Sequence, residues 1–139
     1  PELVKEVARR GGVIGAVAFP PLVTTSREPS VDHYVRAIDD LVELVGVDHV
    51  GFGPDFMEAM PAEVAATVLA GLPAEARDAF AAMPPMAGFS STRDYPNLVN
   101  ALVQHGYSAA DTAAIAGGNW LRLYEQVWRE FSVDARRGQ

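Results

Sequence analysis

The chain has no cysteine, which removes disulfides, thiolate metal ligands and cysteine nucleophiles together. Its compartment stays open, because a cysteine-free chain suits either redox environment. Positive charge is scarce. Eleven Lys and Arg stand against 18 Asp and Glu, a formal charge of −7, so nucleic acid and anionic lipid are not expected partners. No stretch approaches the ~20 consecutive apolar residues of a membrane-spanning helix, and no charged-then-apolar leader opens the chain. Internal repeats are missing too, and alanine bias is the single compositional irregularity. What is present, 139 residues at 49% hydrophobic and 21% charged, is the composition of one folded unit able to bury a core.

The chain starts on Pro1 and passes at once into the helical pattern Leu3, Val4, Val7 and Ala8, which reads as a start inside a helix. Gly11 and Gly12 end it. Val13 to Phe19 is a continuous apolar run, as expected for a parallel strand covered on both faces, and Pro20 and Pro21 stop it. Ser30 can cap a helix whose stripe is Val31, Tyr34, Val35, Ile38, Leu41, Val42 and Val45. Gly46 closes that helix, and Val47 to Gly53 reads as a second strand. Strand, crossover helix and strand together form a parallel α/β unit, in which ligands gather at the C-terminal strand ends.

Residues 54–94 form a long excursion with short helices opened by Pro61 and Pro73, alanine-rich and suited to a lid. Pro96 starts another helix, stopped by Gly106, and Ser108 with Asp111 opens the next. The last helix carries Trp120, Leu121, Tyr124, Val127, Trp128 and Phe131 on one side, a spacing expected for packing. Arg136 to Gln139 reads as a frayed polar tail. The division is therefore 1–53, 54–94 and 95–139. Two strongly apolar strands among so many helices cannot surround themselves, so strands from elsewhere are expected beside them.

Asp55 is the residue best placed for chemistry, since Val50-Gly51-Phe52-Gly53-Pro54-Asp55 puts a carboxylate at a buried strand's C-terminal end. By position alone, such an aspartate is as readily a structural loop cap. His33 lies off its helix's apolar stripe and is expected to be solvated. His49 stands at the wrong strand end for a site, and His105 in a last helical turn facing the carbonyl end. Their spacing matches no metal pair, so no metal ligand is assigned. Gly117-Gly118-Asn119 follows a helix and lacks a lysine, which makes it a helix break with Asn119 as cap, not a phosphate loop.

Four segments carry a resemblance. Val47-Asp48-His49-Val50-Gly51-Phe52-Gly53-Pro54-Asp55-Phe56 resembles the last barrel strand of the membrane (renal) dipeptidase family. Gly11 to Phe19 looks like that family's seventh strand, and Tyr95-Pro96-Asn97-Leu98 like the start of its eighth helix. Gly117-Gly118-Asn119-Trp120-Leu121-Arg122 is similar to its terminal signature. The resemblance spans nearly the whole chain and implies the C-terminal part of a (β/α)8 TIM-like barrel. It also implies a dipeptide-cleaving hydrolase with two zinc ions and a metal-bridged water, whose ligands and substrate-clasping arginine would precede Pro1. Only the last-strand aspartate carries over, onto Asp55, implying substrate contact and a share in proton handling. Where the family continues with aspartate and glycine, this chain has Met57 and Glu58, and Glu58 is read as an exposed loop glutamate.

These readings yield the expectation of a zinc-dependent dipeptidase part acting on a dipeptide or related amide, inactive by itself. The missing barrel half or another chain would complete it, with homo-oligomerisation expected. The rival expectation is a non-catalytic family member or a self-associating half-barrel.

Overall fold

The computed structural model describes residues 1–56, 58 and 60–137; the side chains of Ala79, Ala81 and 130–137 are not described. Helix α1 spans Glu2–Arg9, and Gly11, at φ +80°, turns the chain out of it. Strand β1 is Ile14–Ala16 and pairs in parallel with β2, Val50–Phe52, in the register Ile14–Val50, Gly15–Gly51, Ala16–Phe52. Between them lie a single helical turn, α2 (Pro20–Val23), and the long helix α3 (Val31–Val45), closed by Gly46 at φ +87°. The α/β unit read from the sequence is thus present, with two corrections. Both strands are shorter than their apolar runs. Pro20 and Pro21 begin a helical turn as well as ending β1, and Val47–His49 forms a 3₁₀ turn that brings the chain into β2.

Helix α3 covers one face of the strand pair. Its stripe buries Tyr34, Val35 and Ile38 completely against Ala16, Ala18 and Val50, and complete burial of one such aliphatic side chain contributes about 1.5–3 kcal/mol. The start of α3 holds a further correction. His33, expected in solvent, is half-buried and reaches back to its cap: Ser30 donates its backbone N–H to His33 Nδ1 at 3.3 Å and its hydroxyl lies 2.9 Å from the same nitrogen. An imidazole here takes the part that a glutamate or glutamine plays in the usual capping box.

Helices α4 (Ala62–Ala70) and α5 (Ala74–Ala81) follow Pro61 and Pro73 as read, and α4 buries no residue. The excursion returns to the core at Ala87, which bonds Pro29 and Val31 of the α3 start through backbone hydrogen bonds of 2.8 and 2.9 Å. Phe89, wholly buried, stacks on Tyr34 with ring centroids 5.2 Å apart. Helix α6 (Tyr95–Gln104) lays Leu98, Ala101 and Leu102 on the same core. Helix α7 (Ala109–Ala113) is capped as read, Ser108 Oγ accepting from Asp111 N–H and donating to its carboxylate.

The chain then passes through a wide turn, 114–118, kinked at Gly117, into α8 (Asn119–Arg137). Here the cap reading of Asn119 is overturned. Its buried amide donates to the carbonyls of Val47 and Val50, at 2.8 and 2.7 Å. Arg122 adds bonds to Gly11 O (3.3 Å) and Asp48 O (2.7 Å), so α8 ties together the segments that lead into both strands. Trp120 lies on the second face of the pair, against Gly15 and Gly51, and its indole N–H reaches Phe52 O at 3.2 Å. The rest of the α8 stripe departs from the packing expectation. Leu121 is 66% exposed, and Tyr124 and Val127 are exposed as well. The side chain of Phe131 and the tail residues Gly138 and Gln139 lie outside the described residues.

Candidate active site

Four backbone and aromatic constraints fix how the chain leaves β2. Gly53 N–H donates to Ala16 O at 2.8 Å, extending the parallel ladder one step past the strands. The Tyr34 hydroxyl, from α3, donates to the same carbonyl at 2.6 Å, and burial raises the phenol well above the usual tyrosine range. That proton therefore stays in place as a structural donor. Phe56 then packs edge-on to Phe89 at 5.1 Å and faces Tyr95 at 6.4 Å. Between the anchored Gly53 and the anchored Phe56 stands Asp55, exposed, at φ +62°.

Among the described residues Asp55 is the single non-glycine with positive φ. Aspartate tolerates that conformation better than most residues, yet a left-handed residue at a strand exit is uncommon and aims the side chain away from the strand line. It lines a cavity of about 320 Å³ formed by the C-terminal ends of both strands and the 80–90 segment. Ala18, Phe19 and Pro20 come from the exit of β1, Pro54 and Phe56 from that of β2. Phe80 closes the far side, its ring 5.1 Å from that of Phe19. The sequence reading pointed to this strand end. It missed Tyr34, which sits in an ordinary apolar stripe, and the wall supplied by Phe80 and Met83, which no local pattern links to Asp55.

The remaining candidates lie elsewhere. Glu58 accepts from Thr92 N–H at 3.0 Å and from its hydroxyl; these bonds hold its carboxyl below the usual glutamate range and tie it to the 92–94 turn, away from the cavity lining. Met57 lies outside the described residues. His49 donates from Nδ1 to Gly12 O at 2.9 Å, at the opposite strand end. His105 follows α6 and lies 3.5 Å from Asp39, the carboxylate that also accepts the Tyr107 hydroxyl at 2.7 Å. Among the described residues no three His, Cys, Asp or Glu come together as a metal site. The cavity lining offers one carboxylate and no imidazole. These residues do not fit a zinc ion by themselves.

A family model described as Membrane dipeptidase (Peptidase family M19) matches residues 2–68, the stretch that contains both strands and Asp55. Over that stretch, a little under half of its length, the chain is similar to the membrane dipeptidase family. A curated relative, Dipeptidase tcpJ of Claviceps purpurea (strain 20.1), is 25% identical over 130 residues. The match takes in 91% of the chain but 25% of that relative. Among solved structures, an amidohydrolase from Pseudomonas aeruginosa superposes with a TM-score of 0.74 at 23% identity, over 91% of the chain and 39% of its own. That likeness bears on the fold, and agrees with the α/β reading. The chain thus spans a quarter of the length of the curated relative it matches.

Proposed function

We propose that this chain forms the Asp55 side and the lid of a dipeptidase active site, in a zinc-dependent hydrolase that cleaves dipeptides or related small amides. In this reading β1 and β2 are the last two strands of a (β/α)8 barrel, α3 is the crossover between them, 54–94 is the lid, and strands beyond these two complete the barrel. The observation that carries the reading is Asp55: an exposed carboxylate in a left-handed conformation at a strand's C-terminal end, over an apolar cavity. Such a group can hold a substrate ammonium or take up a proton during hydrolysis. The described residues supply no ligand set for zinc, and the role proposed for Asp55 stands on the carboxylate alone. By itself the chain is expected to be inactive.

The test is Asp55→Asn in the complete gene product, with turnover of a dipeptide panel, bound metal and thermal midpoint measured together. Asparagine tolerates the same backbone conformation, so stability should change by less than about 1 kcal/mol. Turnover should fall by roughly 10²–10⁴-fold, the usual contribution of a positioned acid or base. Near-normal turnover with normal metal content would leave Asp55 a structural residue.

A second reading, association with another copy of the chain, is favoured by the exposed Leu121, Tyr124 and Val127 on α8. Apolar surface of this kind is usually covered by protein. A solution mass of one copy, unchanged over a hundred-fold concentration range (~100-fold, enough to span micromolar affinities), would remove it.

A further inference from the structure

The lining of the Asp55 cavity carries more information than its position. Asp55 is the one titratable side chain among the residues that form it. Around it stand Phe19, Phe80, Met83, Met86 and Phe89, with Ser90 at the margin. Met86 and Phe89 are buried and form the floor. Phe80 and Met83 come from α5 and the residues after it, and the Phe19–Phe80 ring pair joins that wall to the exit of β1. At about 320 Å³ the cavity is at the small end of ligand sites, which run from about 300 to 1,000 Å³.

We infer that this cavity is a side-chain pocket for the amino-terminal residue of the ligand, selecting a large apolar side chain of the leucine, methionine or phenylalanine kind. The inference rests on the hydrolase reading for calling that ligand a substrate. The argument is geometric. A free α-ammonium held by Asp55 is attached to the carbon that also bears the residue's side chain, so the side chain nearest Asp55 belongs to that residue. The surface it meets is aromatic and thioether. Methionine adapts its shape to varied apolar partners, and aromatic rings supply large contact area. A charged or amide side chain there would lose water with only the Ser90 hydroxyl to replace it, which is unfavourable. A glycyl residue would leave the pocket unfilled.

The experiment compares leucinamide, phenylalaninamide, glutaminamide and glycinamide as ligands of the complete gene product by calorimetry, alongside turnover of the corresponding X-glycine dipeptides. Leucinamide and phenylalaninamide should bind at least about tenfold more tightly than glycinamide and glutaminamide, the discrimination an apolar pocket achieves. Phe80→Leu, which keeps the contact with Phe19 apolar, and Met83→Gln, which keeps volume but adds an amide, should each lower the leucine-to-glycine preference. Met83→Gln should lower it more, by about tenfold. Equal affinity for leucinamide and glycinamide, or a preference within twofold of the parent in Met83→Gln, overturns the pocket. Selective binding without hydrolysis of any X-glycine dipeptide would defeat the hydrolase reading and still support the pocket.

Discussion

At the N-terminal ends of β1 and β2, Asn119 and Arg122 of one helix donate hydrogen bonds to the carbonyls of Gly11, Val47, Asp48 and Val50. At the C-terminal ends the backbone is held from behind, by Tyr34 and the Phe56–Phe89–Tyr95 cluster, and one carboxylate is left exposed over an apolar hollow. The first end turns the Asn119 and Arg122 donors onto the chain's own carbonyls. The second keeps Asp55 out of the network that fixes its neighbours. A strand pair can thus be tied at one end and leave a carboxylate exposed at the other, because the carbonyls that need partners and the exposed group are separated along the strands.

The comparison predicts that substitutions at the two ends separate stability from activity. Asn119→Leu tests the tied end most severely. It removes two donors from carbonyls in a buried setting, and unmet buried polar groups cost about 1–3 kcal/mol each. A loss of roughly 2–4 kcal/mol in denaturant unfolding is expected, while ligand affinity of the folded fraction stays as it was. A change under half that size would mean that the carbonyls find other partners and that the tie is incidental.

Gly51→Ala probes the packing of the same helix from the sheet face, at the middle of β2. A methyl at Gly51 would lie 2.9 Å from Trp120 Cδ1 and closer still to the indole nitrogen, so the ring must shift. Overpacking of this kind costs about 1–3 kcal/mol. The Trp120 N–H bond to Phe52 should be lost with it, seen as a shifted indole proton resonance.

The smallest effect is expected on the open side, at Glu58. Its bonds to Thr92 lower its carboxyl pKa, so the stabilisation is complete above the ordinary glutamate value of about 4.5 and is lost as pH falls through the lowered folded value. The charged form is the bound form, which fixes this sign. Protection of the Thr92 amide, relative to its intrinsic exchange rate, should fall as pH drops through the lowered Glu58 value, with the unfolding midpoint nearly unchanged. Strong dependence of the midpoint on Glu58→Gln would show that the 54–94 segment carries global stability after all.

How much of this was legible in the sequence depends on the range of the interactions involved. Gly11, Gly46, Gly106, Pro61, Pro73 and Ser108 act within one turn of themselves, and each marks a helix boundary in the structure close to where it was read. Asp55 is singled out by its strand-end position together with the family resemblance, since position alone reads as readily as a structural cap. His33 is a local contact that escaped because imidazole is not the customary capping partner. The misread role of Asn119 and the packing partners of Trp120 are different in kind. Their partners, Val47, Val50, Gly15 and Gly51, are about 70 or more residues away in sequence, and side-chain spacing along α8 cannot reveal them. The shortness of β2 follows from the same cause, since Val47 turns its carbonyl to Asn119 and its segment coils into a 3₁₀ turn. The apolar wall of Phe80 and Met83 became visible only once α5 was brought beside β1.

The tie made by α8 has a consequence for the order in which the molecule is made. Arg122 and Gly11 are 111 residues apart, and Arg122 and Asp48 are 74 apart. A polypeptide grows from its amino end at roughly 5–20 residues per second. Both strands are therefore synthesised, and can pair under α3, seconds before the residues that secure their leading ends leave the ribosome. During that interval the glycine face of the pair is bare of Trp120. Contacts of such sequence separation also close slowly. Chains arrested before Asn119 should be held by chaperones or cleared by proteases, and restoring the few residues through Arg122 should rescue far more soluble protein than their number suggests.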